Sequence, residues 1–192
     1  MLWKCRVVPA AEVTAWRVLE DKLVTKVNLE KRGIRVVSSV CIFCGAEEES
    51  CSHLFFKCRF VWLLWNLCSA WLGVQSVFHN VPLLNFSQFR ICNATALVNE
   101  VWEAIWIAVV NEIWKHRNKV IFDGGVINVL EVFALVQLKA GLGLLPSCRM
   151  RFFHSLLGVL TLWPVWRCCL EFLLGVKGSV VGFSCWCLSS GF

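Results

Sequence analysis

Three cysteines and one histidine crowd residues 41–58. Cys41 and Cys44 are separated by Ile42-Phe43, and His53 and Cys58 follow with four residues between them. Three thiolates and an imidazole form a Cys₃His set, which suits a closed tetrahedral zinc site. Soft thiolate ligands also favour zinc over the harder cations. Gly45, directly after Cys44, stands where a knuckle needs positive φ, which glycine adopts without a Cβ clash. The expectation is one structural Zn²⁺ on Cys41, Cys44, His53 and Cys58. Cys51, two residues before His53, is an alternative fourth ligand. Two further readings compete: ordinary buried cysteines, and a redox pair at Cys41 and Cys44. The redox pair calls for a βαβ setting, whereas the flanks here read as helical.

The elements that must position these residues follow from apolar spacing and punctuation. Pro9 suits a first helical position. Val13, Trp16, Leu19 and Leu23 recur at helical spacing, which predicts an amphipathic helix over 10–23. Thr25 reads as the N-cap of a short helix carrying Val27, Leu29, Lys31 and Arg32, with Gly33 as its C-terminal stop. The β-branched stretch 34–40 predicts a short strand leading into the knuckle. The acidic run Glu47-Glu48-Glu49 reads as a solvated loop, or as charge placed near the start of the next helix. That helix is expected over 53–72, stopped by Gly73. His53 and Cys58 are five residues apart, so a regular helix cannot aim both at one point. Either the first turn is distorted or His53 precedes the helix. Phe56, Phe60, Leu63, Leu64, Leu67 and Trp71 make its apolar face.

The sequence here resembles the reverse-transcriptase zinc-binding domain of plant non-LTR retrotransposons. The matching residues are Trp3-Lys4, Pro9, the run from Ala15 to Leu19, the run from Leu23 to Leu29, and Arg32-Gly33-Ile34. They continue through Cys41, Cys44, Glu49-Ser50, His53-Leu54-Phe55 and Cys58. The resemblance covers about residues 3–72, and more weakly the stretch from Ile113-Trp114-Lys115-His116-Arg117-Asn118 to Ile121-Phe122. It implies Cys41, Cys44, His53 and Cys58 as the zinc ligands, and RNA or DNA as a partner. Because Trp3 already fits the pattern, the chain is expected to begin inside a longer ancestral protein.

Residues 74–94 lack periodicity and contain Pro82, which marks a connection. A long helix is expected from a cap at Asn93 or Thr95 to about Asn118, burying Val98, Val101, Trp102, Ile105, Val109, Ile113 and Trp114. Lys115-His116-Arg117-Asn118-Lys119 is a basic cluster near its end. Such a cluster complements the helix dipole, or supplies phosphate contacts through Lys115, Arg117 and Lys119. Asp123-Gly124-Gly125 reads as a turn, and 126–140 as a further apolar helix. The expected core comprises Trp16, Phe56, Leu63, Trp102 and Ile105.

Composition bounds the rest. The chain has 192 residues, 58% of them hydrophobic and 17% charged, so it has apolar surface in excess rather than in deficit. Association through exposed apolar surface is expected. The net charge of +6 is compatible with weak, non-specific nucleic-acid contact. Twelve cysteines could suggest a secreted disulfide framework. The start, however, lacks a secretory pattern, and the knuckle spacing points to a reducing compartment, nucleus or cytoplasm. No uninterrupted apolar stretch has membrane-spanning length: 152–176 is broken by His154, Pro164, Arg167 and Glu171. Asp21 and Asp123 are the only aspartates. Neither the paired aspartates of a polymerase nor an RNase H constellation is present, so a non-catalytic fragment without a small-molecule substrate is expected.

The predicted organisation is mainly α: a zinc-binding domain over 3–72, a helical extension over 73–140, and a poorly specified apolar tail over 141–192. The tail holds four basic residues and one acidic residue. Cys168-Cys169 and Cys185-Trp186-Cys187 lack a histidine at ligand spacing. The resemblance fades after Lys139, where related proteins often carry Trp-x-Trp and this chain has Gly141-Leu142-Gly143. TGG-TCT-TGG read one base later encodes Gly-Leu-Gly, so the tail is expected to be frame-shifted. Its local signals agree with no single fold.

Overall fold

In a computed structural model, residues 8–72, 78–89 and 96–144 are described, with side chains at 96–98 and 141–144 left aside. All belong to one compact unit, Met1–Phe152. The expected stop at Gly73, the caps at Asn93 and Thr95, and the tail beyond Leu144 lie outside the described residues.

Among the described residues the fold is helical. Helix α1 spans Pro9–Leu19, with proline in its first turn. It ends earlier than the apolar spacing implied, because Asp21 turns left-handed at φ 50°. The amide of Lys22 then donates to the carbonyl of Arg17 at 2.8 Å, and that of Asp21 to Val18 at 3.2 Å, the pattern of a Schellman stop. Leu23 is buried all the same, from the loop, and its helical spacing was coincidental. Helix α1 packs on the long fifth helix through Ala11, Ala15 and Val18. Small side chains allow close approach there. Trp16, expected in the core, is 37% exposed on the other face, with Lys22 Nζ 4.8 Å above its ring.

Helix α2, Lys26–Lys31, begins and ends as its punctuation implied. Thr25 Oγ1 accepts from the amide of Asn28 at 3.4 Å. Gly33, at φ 77°, donates to Glu30, while Ile34 donates to Leu29. No strand follows. Among the described residues, 34–40 pairs only through an isolated bridge between Val40 and Glu48. Its β-branched residues Ile34 and Val37 face solvent, since no strand among the described residues lies beside them to bury them.

Helix α3, Arg59–Leu72, buries Phe60, Val61, Leu64, Trp65, Cys68 and Trp71. Leu63 was expected inside but is 43% exposed. Cys58, extended at ψ 134°, resets the helical phase between Phe56 and α3. Counting a face straight through from Phe56 therefore misplaces Leu63. A short α4, Pro82–Gln88, interrupts the expected connection. Asn85 on it accepts from Trp106 Nε1 at 2.8 Å.

Helix α5, Ala96–Phe122, is the axis of the unit. Every residue from 101 to 113 is buried, as befits a helix packed on all sides. Trp102 and Ile105 are in the core, as is Phe56, whose ring stacks near Trp65 and Trp106. Asp123-Gly124-Gly125 forms the expected turn, with Gly124 at φ 65°. Helix α6, Val129–Leu144, then packs against α5 and α3. Asn128 caps it, its Oδ1 accepting from the amides of Leu130 and Glu131. Gly141-Leu142-Gly143 continues this helix rather than ending it. No described helix is long and apolar enough to cross a membrane.

Candidate metal centre

The loop between α2 and α3 carries the four residues singled out by spacing. Its first half is a knuckle: the amide of Gly45 donates to the carbonyl of Cys41 at 2.9 Å, and Gly45 takes φ 64°. The amide of Cys41 donates to Glu47 at 2.7 Å, which closes the loop behind Cys44. Ser50 starts the second half by capping, its hydroxyl accepting from the amide of His53 at 3.1 Å.

The predicted distortion of the first turn is a π-turn over His53–Lys57. The amide of Cys58 donates to the carbonyl of His53 at 2.8 Å, five residues back. A wider turn brings positions five apart onto one side, which an α-turn does not. Cys58 then leaves helical geometry, and α3 starts afresh.

The result is a cluster. One ligand atom from each of Cys41, Cys44, His53 and Cys58 lies within 4.8 Å of every other. Cys41 Sγ and Cys58 Sγ are 3.9 Å apart, and Cys44 Sγ lies 3.3 Å from His53 Nε2. Tetrahedral zinc, with bonds of about 2.3 Å to sulfur and about 2.0 Å to nitrogen, separates two sulfurs by about 3.8 Å and sulfur from nitrogen by about 3.5 Å. The donor set therefore fits a zinc-sized ion. Four protein donors would complete the tetrahedron of such an ion and would leave no open position for a substrate or an activated water.

The electrostatics agree with that use. The Cys41 and Cys58 thiols share a hydrogen bond, and this contact is the main reason the Cys41 thiol is held well below its ordinary range. The same contact, with burial, pushes the Cys58 thiol far up. Two sulfurs sharing one proton at this distance mark a place where a cation replaces protons. His53 Nδ1 is 3.0 Å from Glu47 Oε2. Donation to that carboxylate leaves Nε2 as the free ligand atom and fixes the ring, the usual outer support of a metal-bound histidine.

Cys51, the alternative ligand, is elsewhere. Its sulfur lies 3.6 Å from the carbonyl of Val18 on α1. Burial pushes its thiol up to about 12, so it behaves as an apolar packing residue.

Residues 1–65 match the family model for zinc-binding in reverse transcriptase. The reverse-transcriptase zinc-binding match contains all four clustered residues. No curated protein and no solved structure matches the chain.

Two carboxylates of the acidic run were missed as site residues. Glu47 orients His53 from the surface. Glu49 is fully buried; its Oε1 accepts from Arg117 Nη2 at 2.6 Å, from Arg117 Nε at 3.2 Å and from the amide of Lys26 at 3.2 Å. Nothing local in the reverse-transcriptase zinc-binding stretch signals this partner. The same pair corrects the expectation for Arg117. It is only 4% exposed, tied to Glu49 and packed 4.9 Å from the Trp114 ring, so it offers no surface contact to phosphate. Lys115 and Lys119 are exposed, with Glu112 at 3.8 Å and Glu131 at 2.8 Å respectively.

Proposed function

We propose that the chain is a non-catalytic zinc module of retroelement reverse-transcriptase type. One structural Zn²⁺ sits on Cys41, Cys44, His53 and Cys58 and fixes the loop between α2 and α3. The observation that carries this reading is the cluster itself: three thiols and an imidazole whose ligand atoms all lie within 4.8 Å of one another, within a stretch that matches a zinc-binding family. Ligating thiolates need a reducing environment, which fits a nuclear or cytoplasmic protein. A plant non-LTR element is the source we favour on the sequence resemblance.

The module's role in this reading is weak, sequence-independent contact with RNA or DNA. Lys57 and Arg59, exposed on either side of Cys58, and Lys115 on α5 are suitable donors to phosphate. A second reading, a structural or protein-interaction remnant without nucleic-acid contact, is favoured by the withdrawal of Arg117 into the core. Fluorescence anisotropy with unrelated single- and double-stranded oligonucleotides separates the two. The first reading expects binding at low salt that is indifferent to sequence and weakens steeply as salt rises. Lys57→Ala with Arg59→Ala should flatten the salt slope by roughly 1.4–1.8, at about 0.7–0.9 per lost phosphate contact. Absence of binding at low salt, or binding indifferent to salt, supports the second.

A further inference from the structure

We propose that α5 belongs to the metal centre, with His116 and Arg117 acting as positioning residues for the ligand loop. The inference rests on the zinc reading but goes beyond it, because both residues lie far outside the matched stretch 1–65.

The loop has almost no core of its own. Gly45, Ala46, Glu47 and Glu48 are all exposed. Two of its side chains turn inward, one on each side of Cys44, and both end on α5. Phe43 stacks on Phe60 at 4.4 Å and on His116 at 5.8 Å between ring centroids. His116 lies nearly parallel to Phe60, at 2° and 5.7 Å. Its Nε2 accepts from the amide of Asn128 at 3.2 Å, which holds the ring in place. On the other side of Cys44, Glu49 is gripped by Arg117. All the hydrogen bonds to the Glu49 carboxylate reach Oε1, while Oε2 has none. Arg117 is therefore its principal charge compensation. The Glu49 carbonyl also receives the amide of Val27 at 3.3 Å, so the same residue joins α2 to the loop.

Held this way at Phe43 and Glu49, the loop leaves less of itself for the metal to order. A loop released from α5 must be ordered by the metal, and that cost appears as weaker affinity. A role confined to general stability would destabilise metal-free and metal-bound forms alike and leave affinity unchanged.

The test is the zinc dissociation constant of the full chain, measured by chelator competition. Arg117→Met should raise it by roughly 10–100-fold, the size seen when outer support of a metal ligand is removed. Arg117→Lys, which keeps the charge, should recover part of the loss. His116→Gln keeps an acceptor for Asn128 but removes the ring from the stack; it should raise the constant by roughly tenfold. It also provides the test if Arg117→Met does not fold. Lys119→Met, on the same helix but outside the contact, should stay at the wild-type value. Cobalt-loaded variants should keep a tetrahedral thiolate spectrum, since the ligands themselves are unchanged. Wild-type affinity in both Arg117→Met and His116→Gln, or in His116→Gln alone if Arg117→Met does not fold, overturns the proposal. A wild-type chain that takes up no zinc removes the zinc reading and this proposal together.

Discussion

The amide of Cys58 donates to the carbonyl of His53 at 2.8 Å, so two of the four clustered residues are also the two ends of one π-turn hydrogen bond. The wide turn is what converts a spacing of five into a shared direction. Its cost is a break in the helix, visible as the extended Cys58 and the new start at Arg59. Single-turn π-insertions concentrate at functional sites for this reason.

Lengthening that turn tests the relationship. Lys57 is exposed, so an alanine inserted after it adds one residue of spacing and little packing. Positions six apart share a side of neither an α-turn nor a π-turn, so the insertion should turn His53 away from Cys58 and abolish zinc retention in the presence of a moderate chelator. Lys57→Ala should retain zinc as the parent does. Equal retention by the insertion variant would show that the spacing of the π-turn is not needed.

Cysteine substitutions should divide sharply. Cys44→Ser should lose zinc and loosen residues 34–60, because metal binding and local folding are coupled where a loop has little core. Cys51→Ser should keep zinc at full stoichiometry while costing about 1–3 kcal/mol of stability, the range for placing a hydroxyl in an apolar site. Loss of metal from Cys51→Ser alone would reverse the ligand assignment.

His116 predicts a pH dependence. Burial holds its pKa below 6.5, with Lys119 adding to the effect and Glu131 opposing it. The folded chain thus keeps His116 neutral in a range where the unfolded chain has bound a proton. The unfolded state binds more protons there, so stability rises with pH, and it falls as pH drops below about 6.5 towards the folded value. Denaturant titrations between pH 7.5 and 5 should show a steeper loss in the parent than in His116→Gln. The cluster of Cys41, Cys44, His53 and Cys58 is common to both proteins, so the difference isolates His116. Parallel curves would count against a neutral buried imidazole.

Local rules made part of this fold legible. Thr25 and Gly33 bound α2 through their own capping chemistry, and the spacing of Cys41, Cys44, His53 and Cys58 signalled both a cluster and a distorted turn. Features that depend on distant partners were not legible. Trp16 and Leu63 fit apolar periodicities yet point outward: α1 turns another face towards α5, and the extended Cys58 resets the phase of α3. Residues 34–40 have strand-forming side chains but, among the described residues, no strand to join. Glu49 and Arg117 sit 68 positions apart, one in an acidic run and one in a basic cluster. Each run read alone looks like a solvated surface, and only the packed fold shows that one member of each is buried against the other.

Metal content of the purified 192-residue chain tests the central claim most directly. Elemental analysis combined with native mass spectrometry should find one zinc per chain in the wild type and none in Cys44→Ser. A wild-type protein that is folded by circular dichroism yet carries no zinc, and takes none up when it is supplied under reducing conditions, would contradict the account.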